Sequence, residues 1–221
     1  VPVGWSPSAL GGLSFSESGK RVRLSTKENP EPEKKDTLLP EEKYKVDIWN
    51  WKDYYLQPQQ LVSVSREKNK TYQGIYFLED AKFVQLTGNG LESVSIGQKG
   101  DAAKAIASVS RKYSHRTSWD TQYYDWYILD VNTGMKELLW EDVKFRPSFS
   151  PDGKFITYYE STEKQWYSYD PDAKILVNLT KDIPTNFYRE TDDRPQDPSS
   201  HGSAGWTKKD GFMLLYDAYD I

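Results

Sequence analysis

Apolar and polar positions alternate along much of this chain in short runs separated by turn residues, a period of two that predicts strands. The clearest unit runs from Phe145 to Tyr159. A short strand, Arg146 to Phe149, leads into the turn Ser150-Pro151-Asp152-Gly153, and an alternating strand follows from Lys154 to Tyr159. Pro151 pre-sets φ near the value the second turn position needs, and Gly153 accepts the positive φ that other residues resist. Imperfect copies recur: Leu13 to Gly19 leads into Arg21–Ser25, Ala204 to Gly211 into Phe212–Tyr216, and, more weakly, Ser93 to Asp101 into Ala105–Val109. A unit of strands repeated every few tens of residues is the signature of a β-propeller.

The pattern predicts the remaining strands in order. Val1 to Leu10 reads as the tail of an earlier blade, and Lys27 to Lys45, rich in Pro, Glu and Lys, as an exposed insertion. Lys45 to Trp51 alternates and is expected to be the third strand of the first blade, followed by Gln73–Leu78 and Phe83–Thr87. Tyr124–Val131 and Met135–Leu139 flank an Asn132-Thr133-Gly134 turn, a hairpin signal. Gln165–Asp170 and Lys174–Thr180 repeat that arrangement, and Ile183 to Gly202 reads as a long loop. The expectation is an all-β chain forming a partial propeller of three to four four-stranded antiparallel blades, at about 11–90, 91–143, 144–183 and, truncated, 203–221. The absence of an initial Met and the final Tyr216 to Ile221 run, strand-like to its last residue, read as a piece cut from a longer protein.

Composition narrows the function classes. At 221 residues, with 37% apolar content but 16 Tyr, 8 Trp and 8 Phe, the chain suits aromatic-rich strands better than a helical bundle. A net charge of −4, with both signs mixed along the sequence, gives no basic stripe for nucleic acid. No run of apolar residues is long enough to span a membrane as a helix. Without Cys there are no disulfides and no thiolate metal sites.

The aromatic-Ser-Pro-Asp-Gly-Lys hairpin, the strand Tyr124-Asp125-Trp126-Tyr127-Ile128-Leu129-Asp130, the Leu86-Thr87 and Leu179-Thr180 strand ends and the closing Gly205-Trp206-Thr207 to Ile221 stretch carry a resemblance. They resemble the N-terminal propeller of prolyl oligopeptidase family serine peptidases, especially long bacterial members; the hairpin alone is shared with TolB-like propellers. The resemblance implies that the catalytic Ser, Asp and His belong to an α/β-hydrolase domain outside this sequence. The propeller would then gate peptide access and help to bind the peptide, with the hydrolase domain and the peptide as partners, no cofactor, and a periplasmic or secreted setting. In some members acidic residues hold the substrate's N-terminal amine. The adjacent pair Glu41-Glu42 lies in the polar insertion and reads as a solvated surface pair instead. The alternative role, from another class, is a TolB-like or WD-repeat-like module that scaffolds a protein or glycan.

Candidate chemistry is sparse. In His201-Gly202-Ser203-Ala204-Gly205 the position two before the Ser is His201, where a nucleophile elbow needs Gly, and a turn and strand follow instead of a helix. His115 is the only other His, so transition-metal ligation is not expected. Asp192, Asp193 and Asp197 lack the spacing of a calcium loop and read as solvated acids. No catalytic, cofactor or metal residue is therefore assigned. Trp49, Trp51, Trp126 and Trp166 are expected in the core by strand alternation. Packing explains Tyr123 and the Arg116 to Asp120 segment less well, so Arg116, Trp119, Asp120 and Tyr123 are the candidate ligand-facing surface. Asn69-Lys70-Thr71 and Asn178-Leu179-Thr180 match the glycosylation acceptor pattern. An open wheel should also expose apolar blade faces and unpaired edges, favouring self-association.

Overall fold

The computed structural model describes residues 1–31, 39, 42–44, 46–88 and 90–220. Its strands, β1 (Trp5–Pro7), β2 (Ser14–Phe15), β3 (Arg21–Glu28), β4 (Tyr72–Phe77), β5 (Lys82–Gln85), β6 (Ser93–Ile96), β7 (Lys104–Val109), β8 (Tyr124–Asp130), β9 (Lys136–Val143), β10 (Ser148–Phe149), β11 (Ile156–Glu160), β12 (Gln165–Asp170), β13 (Ile175–Asn178), β14 (Ser203–Trp206) and β15 (Met213–Leu215), form four antiparallel sheets. β6-β7-β8-β9 and β10-β11-β12-β13 are four-stranded meanders, and β14-β15 is a two-stranded sheet. Successive four-strand meanders packed face against face make this a partial β-propeller.

The first sheet departs from the expectation in two ways. β1 is no tail of an earlier blade: it pairs with the far end of β3, while β2 pairs with the near end, so one interrupted strand lines the edge of β3. The third strand is β4, which pairs with β3 from Arg21↔Phe77 to Thr26↔Tyr72. The predicted strand over 45–51 does not form among its described residues, which are exposed and irregular; Lys45 lies outside the described residues. Alternation cannot make a strand without a free edge to receive it, and β4 already occupies that edge of β3. A helix, α1 (Gln57–Lys68), follows instead, with Pro58 in its first turn and the Gln59 side chain accepting from the Leu56 amide at 3.1 Å. None of its residues is buried.

Of the three seams between successive sheets, the first two have unlike fillings. Between the first and second sheets the core is aliphatic, with Ile75, Val84 and Leu86 against Ala105, Ala107 and Leu129; the two alanines let the sheets approach closely. Between the second and third sheets the filling is aromatic: Phe145 stacks on Tyr158 at 3.9 Å, and Trp140 meets Tyr158 and Tyr169 edge-on at 5.1 and 5.6 Å. Trp126 and Trp166, expected in the core, are only half-buried in their sheets, and Trp49 and Trp51 are 66% and 89% exposed and belong to no core.

Antiparallel order gives the sheets two unlike ends. At one end lie most of the short hairpin turns; at the other lie all the long connections, namely 29–71, 110–123 and 179–202, with the short β11–β12 turn among them. The short turns are tied across blades by carboxylates. Asp101 accepts from the Ser18 amide and hydroxyl, both at 2.7 Å, and buried Asp210 accepts from Ser150 Oγ at 2.5 Å and from the Asp152 amide at 3.1 Å. Gly153 takes the positive φ, +73°, that its turn requires.

Candidate functional site

The connection between β7 and β8 carries all four residues singled out from the sequence. Its start is pinned by Glu92, whose carboxylate accepts from the Ser110 amide and hydroxyl and from the Arg111 amide at 2.9–3.0 Å. A 3-10 helix, Arg111–Ser118, then buries Tyr113 and Ser114. Beneath it sits Asp125, 3% exposed, which receives the Tyr113 hydroxyl at 2.6 Å, the Asp142 amide at 3.1 Å and the Lys112 ammonium at 2.5 Å. Burial pushes its pKa up, but these hydrogen bonds outweigh burial and hold it below the usual carboxylate range. The same contact with Asp125 raises Lys112 above the ordinary lysine value. A buried charge with its partners in place makes this a rigid base for the segment above.

On that base Arg116 forks onto Asp142, and its guanidinium lies over the rings of Tyr113 and Tyr123 at 4.9 and 4.7 Å. The Tyr123 hydroxyl donates to Asp120 at 2.7 Å. That bond, with the Thr121 amide and the nearby Lys144, lowers the Asp120 pKa; the same bond and burial raise that of Tyr123 against the opposing pull of Lys144. Lys144 lies 3.6 Å from Asp120 and 3.4 Å from Asp197, with its ammonium over the Tyr123 ring at 5.5 Å. Asp197 also accepts from the Thr162 hydroxyl at 3.1 Å. These groups border a polar cleft of about 930 Å³, walled by Trp119, Asp120, Lys144, Ser161, Gln196 and Asp197. Trp119 is 72% exposed, with its ring 5.9 Å from that of His115.

The four candidates thus split. Trp119 and Asp120 face the cleft, Tyr123 orients Asp120 and Lys144, and Arg116 is committed to Asp142 and braces Tyr123. Sequence reasoning missed Lys144 and Gln196 and took Asp197 for a solvated acid; their partners lie tens of residues away, and no local motif marks them. Asp192, in contrast, pairs with Arg194, which holds its pKa down to about 2. Among the described residues no three His, Asp or Glu side chains gather where a metal ion would sit. Ser203 lies exposed on β14 in register with Leu215, and a turn and β15 follow it. Glu41 lies outside the described residues, and Glu42 is exposed. Asn69, at the end of α1, is exposed, whereas Asn178 accepts from the amides of Thr180 and Lys181. No helix among the described residues is long and apolar enough to cross a membrane.

No protein-family model and no curated protein matches this sequence. Among solved structures the chain is similar to a protein assigned as TolB from Agrobacterium tumefaciens, at 15% identity and a TM-score of 0.38, covering 80% of this chain and 46% of that one. It is also similar to the β-propeller domain of the Trilobed protease from Pyrococcus furiosus, at 18% identity and a TM-score of 0.37, covering 80% and 44%. An acylaminoacyl peptidase from Pyrococcus horikoshii gives 18% identity and a TM-score of 0.37, covering 81% and 26%. The chain spans less than half the length of each of these three. The propeller assignment rests on the sheets themselves.

Proposed function

We propose that this chain is a non-catalytic propeller segment that binds and gates peptide for a serine peptidase whose α/β-hydrolase domain lies outside it. The observation that carries the reading is the polarity of the wheel: the long connections, the cleft and the exposed Trp49, Trp51 and Trp119 share one end, while the other end is closed by tied turns. The cleft offers what an extended peptide needs, a flat apolar face on Trp119, an ammonium on Lys144 for carbonyl or carboxylate oxygens, and carboxylate and amide groups for backbone N–H. The chain by itself is expected to hydrolyse nothing.

The test is titration of the chain with proline-containing peptides, read by Trp fluorescence. Trp119→Ala and Lys144→Ala should each weaken binding by about tenfold, equivalent to about 1.4 kcal/mol. Absence of peptide binding, or binding indifferent to both changes, would sink the reading. A fluorophosphonate probe should leave this chain unlabelled and label a longer form from the same gene. A second reading, a TolB-like module that scaffolds a protein or glycan, draws on the insertion, where Tyr44, Trp49 and Trp51 are exposed. Capture of a partner abolished by Trp51→Ser but indifferent to Lys144→Ala would favour it.

A further inference from the structure

Residues 46–70 form an arm that folds on itself rather than into the wheel. The Gln57 side chain donates to Asp47 at 2.8 Å, and the Gln60 side chain donates to Asp53 at 3.0 Å and to the Tyr55 carbonyl at 2.8 Å, so α1 and the turns before it are one piece. Burial does little to hold that piece in place: α1 buries no residue, and Trp49, Trp51, Leu61 and Val62 are exposed. Polar contacts to the 3-10 helix Arg111–Ser118 hold it instead. The Arg111 guanidinium lies over the rings of Tyr54 and Tyr55 at 5.8 and 5.6 Å and 3.9 Å from the Glu67 carboxylate, and buried Ser114 donates its hydroxyl to the Tyr54 carbonyl. Where the arm returns to the first sheet, the Lys27 ammonium donates to the Lys68 carbonyl at 2.5 Å. The joint has a weak point: Arg111 Nε is buried and has no hydrogen-bond partner among the described residues, a cost that lifting the arm would relieve by returning the N–H to water.

The same 3-10 helix carries one wall of the cleft. The Ser114 carbonyl accepts from the Thr117 hydroxyl at 2.6 Å, and the Arg116 carbonyl accepts from the amides of Trp119 and Asp120 at 3.0 and 2.9 Å. Thr117, Trp119 and Asp120 line the cleft. Ser114 therefore faces both ways, holding the arm through its hydroxyl and the wall through its carbonyl. Glu92, Asp125 and Asp142 tie the helix to its own blade, whereas the arm reaches it from a connection of the first sheet. We propose that the arm is a detachable strap: docked, it holds the Trp119 wall in place, and released, it leaves that wall free to move. Arg111 and Ser114 are then positioning residues for the cleft, acting on Trp119 and Asp120 through the helix between. The strap concerns the wall itself and does not rest on the peptide reading, since it operates whichever ligand the cleft takes.

Hydrogen exchange followed residue by residue in the whole chain tests it, because the Trp119 and Asp120 amides report the wall and need no ligand. Tyr54→Ala with Tyr55→Ala unhooks Arg111 from the arm side and leaves the sequence of the 3-10 helix intact. The pair should speed exchange at both wall amides at least about tenfold, while the Ala107 amide in β7 keeps the parent's rate. Tyr54→Phe with Tyr55→Phe keeps both rings and should change neither. Because the double alanine change could loosen the chain as a whole, Glu67→Ala is the second variant: it removes only the ion pair and should speed the two wall amides about threefold. Wall amides that keep the parent's rates in both alanine variants overturn the strap, as does an acceleration in Glu67→Ala that is equally large at Ala107. Peptide titration is read separately: a parent chain that binds no peptide sinks the peptide reading and leaves exchange at the wall to decide the strap.

Discussion

Single carboxylates set the tightness of the turn end. Asp210 is buried, accepts from the Ser150 hydroxyl and two backbone amides, and so joins the third blade to the fourth. Asp210→Ala would leave buried donors unmet and should cost about 2–3 kcal/mol in a denaturant titration, while a surface change such as Asp193→Ala should cost under about 0.5 kcal/mol. Asp101 does the same between the first two blades, and hydrogen bonds from Ser16 and Ser18 lower its pKa. A carboxyl whose folded value lies below its unfolded one stabilises fully above the unfolded pKa, about 3.8, and that part is lost as pH falls through the lowered folded value. Acid unfolding of Asp101→Asn should therefore show a shallower fall in stability below about pH 4 than the parent chain. A parent and variant with parallel acid limbs would contradict it. The turns were legible because their chemistry is local: Pro151 with Gly153, and Asn132 to Gly134. The clamps were not, since Asp101 acts 83 residues from Ser18 and Asp210 acts 60 residues from Ser150.

At the scale of elements, strands that carry both alternation and a neighbour formed where the pattern put them. Gln165–Asp170 matches to the residue, and the Leu-Thr endings have a structural reason. Thr87 and Thr180 each accept, through the hydroxyl, the amide at the start of the adjoining strand, Gln73 at 2.8 Å and Trp166 at 3.0 Å. Thr180→Val should loosen the outer strand at a cost of about 1 kcal/mol, visible as faster exchange of the Trp166 amide. The segment from Val46 to Trp51 alternates equally well, yet alternation records only that one face could be buried. Helix α1 escaped notice because its apolar residues serve no core: Leu61 and Val62 are 59% and 88% exposed. Replacing either by Ala should change stability by less than about 0.5 kcal/mol, whereas Ile75→Ala, at a fully buried position, should cost about 2–5 kcal/mol. Comparable losses at both places would mean that α1 packs against something.

For the whole molecule, the division into a tied end and a loop end explains why the candidate site was only half visible. Arg116, Trp119, Asp120 and Tyr123 come from one segment and betrayed themselves by composition, while Lys144 and Asp197 reach the cleft from other connections. Asp120 is ionised well into acid, so peptide binding should stay flat through neutral pH and fall only below about pH 4. The unlike seams have a spectroscopic corollary. Trp140 and its ring neighbours Phe145, Tyr158 and Tyr169 form a fixed chiral array between the second and third blades, whereas the core between the first and second is mostly aliphatic and holds no tryptophan. The part of the near-ultraviolet circular dichroism that Trp140→Leu removes thus watches one seam of the wheel, and exchange at Ile75 and Ala105 watches another. If the two signals part company along a denaturant series, the blades melt as separate units; a single shared transition would make the wheel one thermodynamic object despite its two kinds of mortar.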